Sequence, residues 1–500
     1  MTDTPVRPTD SPPPTVDVDD ANLAQFGYTQ KLDRSVGRLA SFAIGFATIS
    51  ATTAVFTGFG AGYFTAGAPF VWTLLLAAAV FLVWVMIAAD LTAKIPLAGY
   101  AYQWTRRIHG STLAWFTGVM ALAGWVCGMT GVGFILSGYL GGLFGWDMSQ
   151  TVQILVAIGV MAVCMLVNLY GVRFATMVNN IGVSLEFVIT IGATILVAIV
   201  AFSAPENHQS FSVLFTGGTS EGSTPYIVAW LAASLGPFFG LIGVEASADV
   251  AEETKDARRV IPRTMFYALT ASIVIEFLMY VVYVLAIRDE AAVAANSAAP
   301  IEEIISQQVG PVVTKIVVAV ALTNVMACIL ANILVATRLT YSMARDNMLP
   351  LSHVWRHVSP TNRTPTYVVL GLFGLSTALL LLALVSEKAF FLILGLSALA
   401  VFATYVLQTV ALIIGYRRGT IPAAEPGTFD LGRARMPIYV IGLIVFSAVC
   451  VALIVLPQFA GNKWVFLGLV VLAGLWAATG LRKRLATGEA GPDYAKTHIY

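Results

Sequence analysis

Carboxylates stand where this sequence is otherwise apolar. Glu245, Asp249 and Glu252 recur at i, i+4 and i+7, a spacing that places three side chains on one helical face. They follow directly on Gly236-Pro237-Phe238-Phe239-Gly240-Leu241-Ile242-Gly243-Val244. Glu186 and Glu276 each stand alone in an apolar stretch, and Asp90 closes another. Ionisable groups inside a bilayer are costly and are candidates by default for proton relays, ion ligands or gates. Proline removes a backbone donor and clashes with the preceding turn, and glycine adds conformational freedom. Polar backbone groups freed at membrane depth are tolerated only if buried in protein or lining a cavity. Phe239, Gly240, Leu241, Ile242 and Gly243 therefore read as a broken helix whose loosened backbone faces a solute. Glu245 follows it as an ion-coupling or gating group. The competing reading is a kinked packing helix with Gly236 and Gly240 in a small-xxx-small contact.

The elements that must position these residues are membrane helices. The 500-residue chain is 58% hydrophobic and only 11% charged, with a mean hydropathy of +0.82, whereas soluble domains carry about 25% charged residues. Twelve apolar stretches are long enough to span, near 40–66, 69–93, 112–141, 150–170, 175–203, 226–250, 263–287, 311–340, 366–386, 389–416, 436–458 and 464–482. Placing both termini in the cytoplasm leaves only Arg288, Lys315, Lys388 and Lys463 of the 28 Lys and Arg on the other side, as positive-inside bias requires. Residues 1 to 25, rich in Pro and Asp, read as a disordered tail, and the basic n-region of a signal peptide is missing. The loop at 288–310 contains Ile301-Glu302-Glu303-Ile304-Ile305, a candidate surface helix or lid.

Several classes are excluded. A net charge of +1 gives no basis for nucleic-acid binding. Cys127, Cys164, Cys328 and Cys450 lack metal-ligand spacing and read as small core hydrophobes. No phosphate loop and no His-Glu-x-x-His occurs, so we expect neither an enzyme nor a metal or cofactor.

The first stretch is irregular as well. Ile49, Ser50, Ala51, Thr52, Thr53 and Ala54 bring small and hydroxyl residues to mid-membrane, ahead of Gly58, Gly60 and Gly62. Interruptions at corresponding positions of two halves are the best sequence pointer to a transport site. Here they fall in the first and sixth stretches, and five helices per half would make the second repeat inverted. Trp125 and its neighbouring glycines are a candidate wall of the cavity.

At this point the chain resembles the amino acid–polyamine–organocation permeases, within them the amino acid/choline group. Four stretches carry the resemblance: Phe26 to Ser35, Ile95-Pro96-Leu97-Ala98-Gly99-Tyr100-Ala101-Tyr102-Gln103-Trp104, Gly243 to Arg263, and Arg338-Leu339-Thr340-Tyr341-Ser342-Met343-Ala344-Arg345-Asp346. It implies an all-α membrane protein of the leucine-transporter fold with a 5+5 inverted repeat. Residues 1–39 would form a cytoplasmic tail, 40–203 and 226–416 the two repeats, 436–482 helices 11 and 12, and 483–500 a second tail. Two departures stand out. Thr52-Thr53-Ala54 replaces the Gly-x-Gly of many relatives, and Glu186 stands near where some proton-coupled relatives carry a lysine.

The resemblance further implies a secondary transporter of an amino acid or related amine, such as a γ-amino acid, coupled to protons, in the plasma (cell inner) membrane. The binding residues would be Ile49 to Ala54, Trp125 and Phe239 to Gly243. Ion coupling or gating would fall to Glu245, Glu186, Asp249, Asn324 and Arg338, with Arg338 or Arg345 as cationic partner of the acidic stripe. Asn332 is a further candidate lining residue, whereas Glu276 has no evident role. Free N–H groups after the first break would suit a carboxylate, and free carbonyls before the second an ammonium. Rival readings are a sodium-coupled carrier, a choline, ethanolamine or polyamine transporter, and a non-transporting nutrient sensor.

Overall fold

The computed structural model describes residues 18–220, 224–297, 299–384, 387–456, 459 and 461–491, with backbone alone at 18, 21, 22, 172, 173, 189, 387–391 and 394. Among the described residues the chain is helical. Strand-like contact is confined to isolated bridges joining Val36 to Thr254 and Gly67 to Gly218.

The elements in order are α1 (Arg38–Ile49), α2 (Ala51–Ala66), α3 (Thr73–Lys94), α4 (Tyr100–Ile108), α5 (Ser111–Phe144), α6 (Gln150–Leu169) and α7 (Val172–Leu185). They continue with α8 (Ile191–Ala201), α9 (Tyr226–Ala233), α10 (Leu235–Gly240), α11 (Ala257–Leu285) and α12 (Pro300–Arg345). The last four are α13 (Thr366–Leu382), α14 (Glu387–Arg418), α15 (Arg435–Val455) and α16 (Asn462–Trp476). Among the described residues ten helices are long and apolar enough to cross a membrane, counting α1–α2 as one, and Tyr226–Gly240 and Thr366–Leu382 are shorter apolar helices. The chain is thus an all-helical, multi-span membrane protein.

Local chemistry explains where the helices stop. Ser50 adopts φ 45° and ψ 91°, ending α1 and starting α2 in one residue. The expected break over Ile49–Ala54 therefore narrows to Ser50, and Thr52-Thr53-Ala54 are helical. After Gly240 the sixth stretch loses its helix through Glu245, then forms one turn at Ala246–Asp249. Gly243 at φ +112° is the residue that permits this turn. The fifth stretch is interrupted too: a π turn at Glu186–Thr190 separates α7 from α8. In α12 the φ of +78° at Gly310, ahead of Pro311, kinks the helix. The preceding segment buries Ile301, Ile304 and Ile305, so the expected lid is packed rather than loose.

The core is the bundle of α2, α5, α10, α12 and α14, with α5 packed along both α12 and α14. Backbones approach closely where glycines meet. A Cβ on Gly236 would lie 2.8 Å from the carbonyl oxygen of Gly58. The packing reading of Gly236 therefore holds beside the broken-helix one.

Both described tail segments gather at one end. Val36 N donates to the Glu253 carbonyl at 2.9 Å, and Gly491 N donates to the Asp346 carbonyl at 3.0 Å. The tail expected to be disordered to residue 25 contains a helix, Val18–Ala24. Asp20 pairs with Arg34 at 2.7 Å, and Asp19 accepts from Asp256 N at 3.1 Å. Residues 1–17 lie outside the described residues.

The exposed Arg259 lies at the tail end, and the exposed Thr216 follows the opposite end of the fifth stretch. In a cysteine-free background, Thr216→Cys should react with a membrane-impermeant maleimide in intact cells and Arg259→Cys only after permeabilisation. Reversed labelling would invert the inner and outer ends.

Candidate functional site

The site begins at Ser50. A broken helix leaves the first N–H groups of its second half without partners. Here the first turn of α2 is met from within the protein. Thr52 N donates to Glu186 Oε1 at 3.0 Å, and Thr53 N to Ser50 Oγ at 3.2 Å. Ala54 N donates to the Ser50 carbonyl at 2.9 Å. Ser50 Oγ and Glu186 Oε1 lie 3.4 Å apart. The N–H groups expected to await a substrate carboxylate are thus largely taken.

Glu186 reaches this position because it opens the π turn, a feature often found at functional sites. The end of that turn adds Thr190, whose Oγ1 lies 2.8 Å from Thr52 Oγ1. Asn324 Nδ2 donates to Thr190 Oγ1 at 3.4 Å. Glu186, Thr52, Ser50, Thr190 and Asn324 therefore form one buried polar cluster behind the start of α2.

On the other side of the same break lies a small cavity of about 30 Å³, room for one or two waters. Of the expected binding residues, Ile49, Thr53, Ala54, Trp125, Phe239, Gly240 and Ile242 line it. Ser50, Ala51, Thr52, Leu241 and Gly243 do not. Asn332, Thr48, Gly124, Gly128, Val132, Cys328 and Ser397 complete the lining. Cys328 was read from sequence as a core hydrophobe, and Ser397 carried no signal. Ser397 Oγ donates to the Gly124 carbonyl at 2.9 Å, tying α14 to α5 beside the cavity. Gly243 faces α1 instead: a Cβ there would lie 2.5 Å from Thr48 Cγ2.

Glu245 lies outside the lining. It is fully buried and accepts from Trp84 Nε1 at 3.1 Å and Tyr405 Oη at 2.8 Å. The two rings stack at 3.8 Å. Its carboxylate thus tethers the nonhelical stretch to α3 and α14. Asp249 is buried nearby with Glu245 and Arg338 as charged neighbours.

The acidic stripe continues into a seal at the tail end. Of the two cationic partners expected for the stripe, Arg345 pairs with its Glu252, whereas Arg338 binds Glu253, with Nε to Oε1 at 2.7 Å. Arg345 binds both oxygens of Glu252 at 2.9 Å each and stacks over Tyr28 at 3.7 Å. Asp346 accepts from Tyr28 Oη at 2.8 Å, Tyr102 Oη at 2.7 Å and Arg106 at 2.6 Å. Burial pushes the Tyr28 phenol up, so it remains a proton donor to Asp346. Asp90 pairs with Lys94 of its own helix, and Lys94 also reaches Asp430 at 2.8 Å. Lys94 beside it holds the Asp430 carboxyl well below the usual carboxylate range.

In sequence the chain is similar to known permeases. A family model described as amino acid permease matches residues 36–476. A Candida albicans protein provisionally named a polyamine transporter is 24% identical, covering 94% of this chain and 88% of its own. Amino-acid permease BAT1 of Arabidopsis thaliana is 24% identical over 85% and 86%. The branched-chain amino acid permease BcaP of Lactococcus lactis is 27% identical over 62% and 68%.

Two substitutions test the construction. Gly243→Ala places a methyl against Thr48 at a positive φ. It should destabilise the protein by about 1–3 kcal/mol, read as a lower Tm, whereas unchanged Tm and function would show that α1 has room to shift. Glu252→Gln leaves the largely buried Arg345 beside a neutral partner and should cost up to about 3 kcal/mol. The double variant with Arg345→Met should recover part of that loss in a thermal double-mutant cycle, and simple additivity would show that the pair is not coupled.

Proposed function

The chain belongs to the amino acid permease family, and from that premise we propose that it imports an amino acid or related amine as a proton-coupled secondary transporter. One observation carries this reading. The interrupted first and sixth stretches meet at one cavity, and a carboxylate without a basic partner among the described residues caps the first break. Stretches broken at corresponding places are where secondary transporters bind their solutes. A buried, uncompensated carboxylate in contact with the hinge is suited to carry a proton.

In the same reading the twelve apolar stretches all span, as two inverted five-helix repeats over 40–203 and 226–416 with two further helices at 436–482. Both tails are cytoplasmic and the membrane is the plasma (cell inner) membrane. The charge asymmetry and the meeting of both tails at Asp346 support this orientation. The residues lining the cavity bind the solute, and Glu186 rather than Glu245 carries the proton, because Glu245 is held by Trp84 and Tyr405.

An amine as cargo is favoured by a second observation, the occupied N–H groups at the start of α2. Relatives named for polyamine and thiamine transport accord with that. Sodium coupling and a purely sensory role are the rivals. Uptake of an amine and amino acid panel into proteoliposomes, with sodium and proton gradients imposed separately, distinguishes all three.

Glu186→Gln cannot exchange a proton at that position. Uptake driven by an inward proton gradient should fall at least about tenfold, while exchange between equal internal and external substrate pools survives. Full gradient-driven uptake in Glu186→Gln would remove Glu186 as the carrier.

A further inference from the structure

We propose that Glu276 is the receptor for a second ammonium group on the cargo, so that the transported class is a diamine or diamino acid rather than a neutral zwitterion. The inference rests on the transporter reading and names its substrate class.

Glu276 lies on α11 and is fully buried, and neither carboxylate oxygen has a hydrogen-bond partner. One turn to either side, on the same helical face, Ser272 and Tyr280 are also fully buried with unpartnered hydroxyls. Four oxygen atoms on one buried stripe thus lack partners. Native structures leave few such groups, and each calls for an explanation. Among the described residues, no cation is paired with Glu276. The charged group that Glu276 feels is Glu186, another carboxylate. From α2 and the segment before α3, the rings of Phe59 and Phe70 pack on Tyr280 of the stripe.

The stripe adjoins the cavity. Gly240 lines that cavity, and a Cβ built on Gly240 would lie 3.3 Å from Glu276 Oε2. A single residue without a side chain separates solute space from the carboxylate. Gly240 is also the last residue of α10, where helix gives way to the nonhelical stretch. Movement there, as the cavity enlarges to take a solute, uncovers Glu276.

The chemistry selects an ammonium. It carries three N–H donors and no acceptor, the complement of a carboxylate flanked by hydroxyls. At the other pole, Glu186 and Ser50 already fill the slot at the start of α2 that a substrate carboxylate would need. Carboxyl groups therefore stand on two sides of the cavity, which suits a solute with two positive ends. A sodium ion has the same taste for oxygen ligands, so the test includes it.

The full-length protein, purified in detergent, is titrated with putrescine, ornithine, alanine and sodium chloride against choline chloride, reading Tm. Putrescine and ornithine should stabilise the native protein at concentrations at least about tenfold below alanine. Glu276→Gln should weaken the diamines about ten- to a hundredfold and leave the alanine response unchanged. Tyr280→Phe should weaken the diamines by about fivefold and decides the matter if Glu276→Gln does not fold. The proposal is overturned if alanine matches the diamines on the native protein. It is equally overturned if the response lost in Glu276→Gln is to sodium while the amines act on both proteins alike. If the diamines bind as expected but no panel member enters proteoliposomes, the subsite stands and the transporter reading falls.

Discussion

The rest of the structure depends on one contact, from the backbone N–H of Thr52 to a carboxylate oxygen of Glu186. A helix broken in mid-membrane exposes N–H groups where no water can meet them, at several kcal/mol each. Glu186 and Ser50 meet them, which is why the chain can break at Ser50 at all. The benefit is mutual, because the start of α2 carries about half a positive charge and steadies the carboxylate. Protonating Glu186 weakens its hold on Thr52 and loosens the joint between α1 and α2. In the proposed proton-coupled reading, a proton arriving there acts on the hinge directly, with no intervening network required.

Around that joint the two ends of the bundle are closed by different physics. At the tail end, largely buried ion pairs join α4, the stretch after Asp249 and the end of α12, and Tyr28 of the N-terminal segment donates into them. Such pairs gain little net stability over apolar packing, yet they hold one geometry and separate into water when the end opens. At mid-membrane the closure is backbone against backbone, Gly58 on Gly236 and Ala54 beside Gly240. There the absence of side chains, rather than any attraction, allows the two broken stretches to lie together.

Much of this was legible in sequence, for physical reasons. Hydrocarbon thickness makes spanning helices long apolar runs, and glycine, proline and lone carboxylates stand out within them. The finer placement was not. Ser50 is a favoured helix N-cap, a signal that would have narrowed the first break to one residue. The π turn has no sequence signature, so the reach of Glu186 to Thr52 could not be foreseen. Helical spacing put Asp249 and Glu252 on one face but could not show that Arg338 would choose Glu253, because the helix ends after Asp249 and the spacing rule ends with it. Cys328 and Ser397 line the cavity through the packing of α12 and α14 against α1 and α5, which depends on tertiary distances. The short helix at Val18–Ala24 escaped a compositional reading because its two acidic residues find partners far along the chain.

The asymmetry of the closures also sets which way the bundle opens first. A cavity of about 30 Å³ is far smaller than any amine it would carry, so one side must move. Moving the tail end separates Arg345 from Glu252, Arg338 from Glu253 and Asp346 from Arg106, the last two pairs buried and the first largely so. Moving α9 and α10 breaks neutral hydrogen bonds at the far rim, Tyr226 to the Ala66 carbonyl and Trp230 to the Pro69 carbonyl. It also slides Gly58 past Gly236 and shifts Phe238 against the rings of Phe81 and Phe402. Two neutral bonds near water and an apolar repacking cost less than three largely buried ionic contacts. In the proposed transport reading the state open away from the tails is therefore the nearer departure, and the seal around Asp346 is the one that bound solute or a proton must release.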